Sequence, residues 1–153
     1  METTIATLPL PEIKLAYSIK VKPSERPGIT SSKDAWELLL STWDKDLLDI
    51  QEQFKILLLN RSNKVLGIYT ASSGGIHGTV VDIKLVLAVA INTGSTQIML
   101  AHNHPSGSIR PSRNDETLTQ KIKNAASFLE VKVVDHIILT SESYYSFADE
   151  GLL

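Results

Sequence analysis

His102 and His104 stand two residues apart, and Asp115 follows eleven residues after the second imidazole. Two neutral imidazole nitrogens and one carboxylate oxygen form the ligand set of an open zinc site, in which water takes the fourth position. The chain has no cysteine. Thiolate sites and disulfides are therefore excluded, and His and carboxylate are the only strong ligands left. Two His and an Asp also accept iron, cobalt or nickel, so Zn2+ is the expected ion but not the only one the residue types allow.

Three elements must position this set. Gln97 to Ala101 is a short apolar run, read as a central strand. Residues two apart in a strand face the same way, so His102 and His104, just past its end, can point into one cleft. Pro105 and Gly107 turn the chain away. The chain returns at Pro111, and Ser112 or Asn114 starts a helix to about Leu129, with Leu118, Ile122, Ala125, Ala126 and Leu129 on one face. Asp115 falls in its first turn, where the helix dipole favours a carboxylate. A second reading competes here. Ser112-x-x-Asp115 is also a helix capping box, with Asp for the usual Glu, and a capping box needs no metal. The short Asp side chain is expected to serve the cap or the ion, not both. The whole pattern of His-x-His, Pro, Ser and Asp between a strand and a helix favours the ion.

A catalytic ion also needs a proton acceptor near its water. Glu52, at the start of an apolar run to Leu59, is the candidate, with Asp49 as its rival. On residue types alone, a solvated strand-end Glu is the preferred reading of Glu52. The Ser112 hydroxyl could donate to an oxyanion or simply cap the helix, and the residues do not separate the two. His136, within an apolar run, reads as a hydrogen-bonded structural His, and His77 as a solvated loop His.

The rest of the chain supplies the frame. Residues 1–12 read as a loose tail, and 13–21 alternate as a half-buried strand. Ser31 or Ser32 caps a helix to about Trp43. Glu52–Leu59 and Val65–Ala71 read as a β-hairpin turning at Arg61 to Lys64. A short strand is expected at Gly78–Val81. Asp82 caps an apolar helix, expected to be covered on most sides, that stops at Asn92-Thr93-Gly94. Val131–Leu139 and Tyr145–Phe147 are the last strands. This order predicts an α/β (α+β) fold, a mixed β-sheet flanked by helices.

At 153 residues, 42% hydrophobic and 21% charged, the composition fits one domain with a real core. A net charge of −2 without a basic block gives no electrostatic support for DNA association. No apolar run approaches the ~20 residues of a membrane span. The N-terminus lacks a signal-peptide layout, so a cytoplasmic protein is expected. A face of the apolar helix left uncovered could support a homodimer.

Glu52, then His102-Asn103-His104-Pro105, six residues, Ser112, two residues and Asp115 resemble the JAMM/MPN+ motif of zinc-dependent isopeptidases. Ala101-His102-Asn103-His104-Pro105-Ser106-Gly107 with Pro111-Ser112-x-x-Asp115, Asp135-His136 and Ser146-Phe147-Ala148 resemble the bacterial RadC family more closely. The resemblance covers about residues 30–153. It implies a JAB/MPN domain, similar to cytidine deaminase in outline, over residues 31–153, preceded by a tail and strand in 1–30. It implies His102, His104 and Asp115 as Zn2+ ligands, Glu52 as general acid/base and Ser112 as oxyanion donor. The expected activity is that of a metallopeptidase acting on a protein or peptide substrate. Typical RadC proteins carry an N-terminal region with a helix-hairpin-helix look, and the roughly forty residues here read instead as a strand and a helix. A non-catalytic interaction module associated with DNA repair or mobile DNA is the alternative expectation.

Overall fold

The computed structural model describes residues 17, 20–75 and 79–153. Five strands form one mixed sheet: β1 Gln53–Leu59, β2 Val65–Ser73, β3 Gln97–Asn103, β4 Lys132–Leu139 and β5 Tyr144–Ser146. Their spatial order is β2-β1-β3-β4-β5. β3 runs parallel to β4 and antiparallel to β1. The helices described are α1 Ser32–Thr42, α2 Lys45–Leu48, α3 Ile83–Asn92 and α4 Arg113–Ser127.

Alternation along β1 and β3 builds two cores. Leu57, Leu59, Met99 and Ala101 pack with Ala35, Leu39 and Trp43 of the α1 side. Phe54, Ile56, Leu58, Ile98 and Leu100 pack with Val86 and Ala90 of α3 and with Ile122 and Ala126 of α4. Every β1 residue is therefore buried, as expected of a central strand covered on both faces. Continued by two residues, the second set leads from Leu100 to His102. The ion-binding candidates thus belong to the face that carries α3 and α4.

Several expectations change. The expected strand at 13–21 and His77 fall largely or wholly outside the described residues. Thr79 to Val81 do not form a strand. β3 extends two residues further than expected, so His102 lies inside it and only His104 lies beyond. Pairing explains the extension, because Phe54 of β1 and Ile138 of β4 flank His102 on either side. The apolar helix α3 is not covered on most sides. Val86 and Ala90 are buried, but Leu85 and Ile91 are 46% and 52% exposed, because only one stripe of the helix meets the sheet. The short helix α2, capped by Asp44, was not foreseen. Among the described residues no helix is long and apolar enough to cross a membrane.

Candidate metal centre

β3 delivers the two imidazoles and the first turn of α4 delivers the carboxylate. His102 Nε2 and His104 Nε2 lie 2.9 Å apart. His102 Nε2 is 3.3 Å from Asp115 Oδ1, and His104 Nε2 is 3.6 Å from Asp115 Oδ2. A tetrahedral ion with bonds of about 2.0–2.1 Å holds its ligand atoms about 3.3 Å apart, so the spacing fits a zinc-sized cation. The donor chemistry fits as well. His104 Nδ1 is 2.7 Å from the Ser108 carbonyl oxygen, which only accepts, so Nδ1 carries the proton and a neutral His104 turns the Nε2 lone pair inward. Ring nitrogens and carboxylate oxygens this close repel unless a cation or a proton lies among them. This His-His-Asp group could hold a metal ion.

The electrostatics of the metal-free site agree. Burial raises the Asp115 pKa, but the adjoining His102 and His104 imidazoles and the Ser112 N–H overcome it and hold the carboxyl far below the usual carboxylate range. Burial lowers the His104 pKa, yet its bonds to Asp115 and the Ser108 carbonyl and the negative charge of Asp115 and Glu52 leave it raised.

The cap does not take up the whole Asp115 carboxylate. Ser112 Oγ accepts from Asp115 N at 3.1 Å, and Asp115 Oδ2 accepts from Ser112 N at 2.7 Å, closing the capping box. The same carboxylate still faces both imidazoles, because two oxygens offer about four lone-pair directions and the cap uses one of them. The cap uses a lone pair of Ser112 Oγ and leaves its O–H free to donate.

Glu52 immediately precedes β1 and is not fully solvated, contrary to the reading from residue type. Its N–H donates to Gly75 O at 3.2 Å and its carbonyl accepts from Gly74 N at 2.9 Å, so it extends the β1–β2 ladder. Phe54 pairs with His102, and two residues further along that register Glu52 comes across from His104. Burial raises its carboxyl pKa. The charges of His102 and His104 pull it down and that of Asp115 pushes it up, so its titration is tied to all three residues. Asp49, the rival acid, is exposed at the C-cap of α2.

A family model described as "RadC-like JAB domain" matches residues 29–152. The chain belongs to the RadC family. It is 46% identical over 124 residues to a UPF0758 protein of Flavobacterium johnsoniae, covering 81% of this chain and 53% of that protein. It is 42% identical to a UPF0758 protein of Porphyromonas gingivalis, covering 84% of this chain and 56% of that protein. It is 38% identical to UPF0758 protein YfjY of Escherichia coli, covering 67% of this chain and 64% of that protein. The chain spans about half the length of the first two relatives.

Two further residues of this RadC domain shape the site and were not singled out from the sequence. Asn103, between the two imidazoles, points to the opposite face and is fully buried. Its side chain donates to Leu48 O at 2.7 Å and Gln51 O at 2.9 Å and accepts from Gln53 N at 2.7 Å. It thus clamps the backbone on both sides of Glu52. A polar residue at the alternate position of a buried strand was the available signal. Thr119 lies one helical turn after Asp115, and its hydroxyl donates to the Asp115 carbonyl at 2.6 Å. His136 is hydrogen-bonded and buried as expected, but its Nε2 lies 2.8 Å from His102 Nδ1, which ties it to the site.

Proposed function

We propose that this RadC domain is a zinc-dependent hydrolase of the peptidase or isopeptidase type, with His102, His104 and Asp115 as ligands. The observation that carries this reading is the convergence of two imidazole Nε2 atoms and a capped carboxylate beside Glu52. A zinc ion held there would supply Lewis acidity toward a carbonyl and lower the pKa of nearby water. Glu52 accepts the proton of the attacking water on a carboxylate oxygen. It then passes that proton to the leaving amine nitrogen, so the cycle returns Glu52 to its starting state. Its raised pKa suits a group that must both take and give a proton. Ser112 donates its O–H to the carbonyl oxygen as negative charge builds there. A protein or peptide is the expected substrate class, because an amide carbonyl and an amine leaving group match these roles.

Metal content tests the ligand assignment. Untagged protein purified without chelators and incubated with zinc should hold about one zinc per chain, and His104→Ala should hold little. Stoichiometric zinc in His104→Ala would sink the assignment. No zinc in either protein would leave the capping box as the full role of Asp115 and favour a non-catalytic module. The zinc-loaded protein is then assayed on a mixed-sequence peptide library and on lysine-isopeptide-linked peptides. Failure to cleave either would count against the hydrolase reading while leaving the metal site in place.

A further inference from the structure

The Nε2 lone pair of His102 can meet an ion only if the ring's proton sits on Nδ1, and nothing in the ion site enforces that. Enforcement comes from behind the ring. Thr119 has one hydroxyl proton, and the Asp115 carbonyl 2.6 Å away can only accept it. The hydroxyl oxygen must therefore accept from His136 Nδ1, 2.6 Å away. A neutral His136 then presents a bare Nε2, and the His102 Nδ1 at 2.8 Å must be the donor. Every proton in this line points away from the ion site.

The line has no room to reverse. Thr119 and His136 are fully buried and His102 is 2% exposed, so water does not compete for these bonds. Phe147 stacks on the His136 ring with centroids 4.7 Å apart, and Phe54 lies edge-on to the same ring at 5.5 Å and stacked against His102 at 6.0 Å. Both imidazoles are clamped against flipping. The line also closes on itself, because Asp115 receives the Thr119 proton on its backbone while its carboxylate faces His102 Nε2.

We infer that Thr119 and His136 are positioning residues that hold His102 in its Nδ1–H tautomer and so aim the Nε2 lone pair at the ion site. Outer hydrogen-bond partners of ligand imidazoles usually set the tautomer and ring orientation in this way. Here a second imidazole and a helix hydroxyl take the place of the more common carboxylate or carbonyl. The effect on ion affinity rests on the metal reading, but the tautomer itself does not.

Two-bond 15N–1H correlation spectra of metal-free, 15N-labelled protein read the tautomer directly. His102 and His136 should both appear with Nδ1 protonated and Nε2 bare. Thr119→Val keeps the shape and removes the hydroxyl, and should move the ring nitrogen shifts of both residues toward the other tautomer. Zinc affinity, measured against a chromophoric chelator, should fall ~10–100-fold in Thr119→Val and recover in Thr119→Ser. A purely structural Thr119 would leave the ring shifts and the affinity unchanged in a folded Thr119→Val protein, and that result would overturn the inference. So would an Nε2–H signal for His102 in the wild type, a result that needs no variant to fold. A wild-type protein that shows the Nδ1–H tautomer but binds no zinc would remove the metal reading and leave the tautomer assignment standing. Tight zinc binding together with ring shifts that both ignore Thr119→Val would leave the metal reading standing and overturn the inference.

Discussion

Under the proposed function, Glu52 would carry the most chemistry for the least sequence signal. A single acid before an apolar run is usually solvated. Here the β1–β2 ladder and the register with β3 draw it into the site, where burial raises its pKa. Glu52→Gln keeps the shape and the hydrogen-bonding capacity but cannot take a proton. It should retain zinc and lose turnover by ~10²–10⁴-fold. Full turnover in that variant would show that another group moves the proton. A base must be ionised to act, so the rate should rise with pH through a limb that reports ionisation of the Glu52 carboxyl. That limb should disappear from the pH profile of Glu52→Gln.

At the scale of elements, the start of α4 does two things at once. Ser112 caps the helix and Asp115 returns the bond, so loss of stability and loss of activity must be separated. A Gly at an N-cap costs only a few tenths of a kcal/mol relative to Ser. Ser112→Gly should therefore unfold almost as the wild type does, while turnover falls ~10²–10³-fold if the hydroxyl stabilises an oxyanion. Matched, small changes in both would leave Ser112 as a cap alone. Asn103 couples β3 to the segment that ends α2 and begins β1. Its three bonds reach Leu48, Gln51 and Gln53, and burying their partners unpaired costs ~1–3 kcal/mol each in the worst case. Asn103→Leu should lower the stability of the metal-free protein by at least ~2 kcal/mol in denaturant titration. If the proposed function holds, the residual folded protein should bind zinc but turn over slowly, because both imidazoles of the candidate site remain while Glu52 loses its backbone clamp.

Over the whole molecule, the site links folding to pH. His104 has a raised pKa in the folded chain, so its protonation favours folding. That contribution is complete below the ordinary value of 6.5 and is lost as pH rises through the folded value. His136 opposes it, because burial pushes its pKa well below 6.5. Its share is present above 6.5 and is lost as pH falls. The Asp115 share is present above the ordinary value of 3.8 and is lost only as pH falls toward its depressed folded value, which leaves the imidazole window to the two His. The difference in unfolding midpoint between wild type and His104→Gln, both metal-free, isolates His104. The wild type should lose ground to the variant as pH rises above the ordinary value of 6.5 and through the raised folded value. A difference that does not change with pH would refute the charged His104–Asp115 pair. Added zinc competes with that proton, so its stabilising effect should grow over the same range.

The spacing of His102, His104 and Asp115 alone suggested an open ion site, because strand and helix periodicities place those types on one side of a strand–loop–helix unit. The cap at Asp82, the caps at Ser31 and Ser112 to within a choice of two residues each, and the mixed sheet flanked by helices were legible for the same reason: they depend on neighbours a few residues away. What sequence could not supply are relations between distant segments. The Glu52 environment depends on register with β3, and the true end of β3 on flanking strands. The exposure of Leu85 and Ile91 depends on how little of α3 the sheet covers. Asp115 looked too short to serve both cap and ion until the two imidazoles were placed around it. The line from Thr119 through His136 to His102 joins α4, β4 and β3 by single hydrogen bonds. Such bonds leave no periodic trace in the chain, and only the packed structure decides where each proton points.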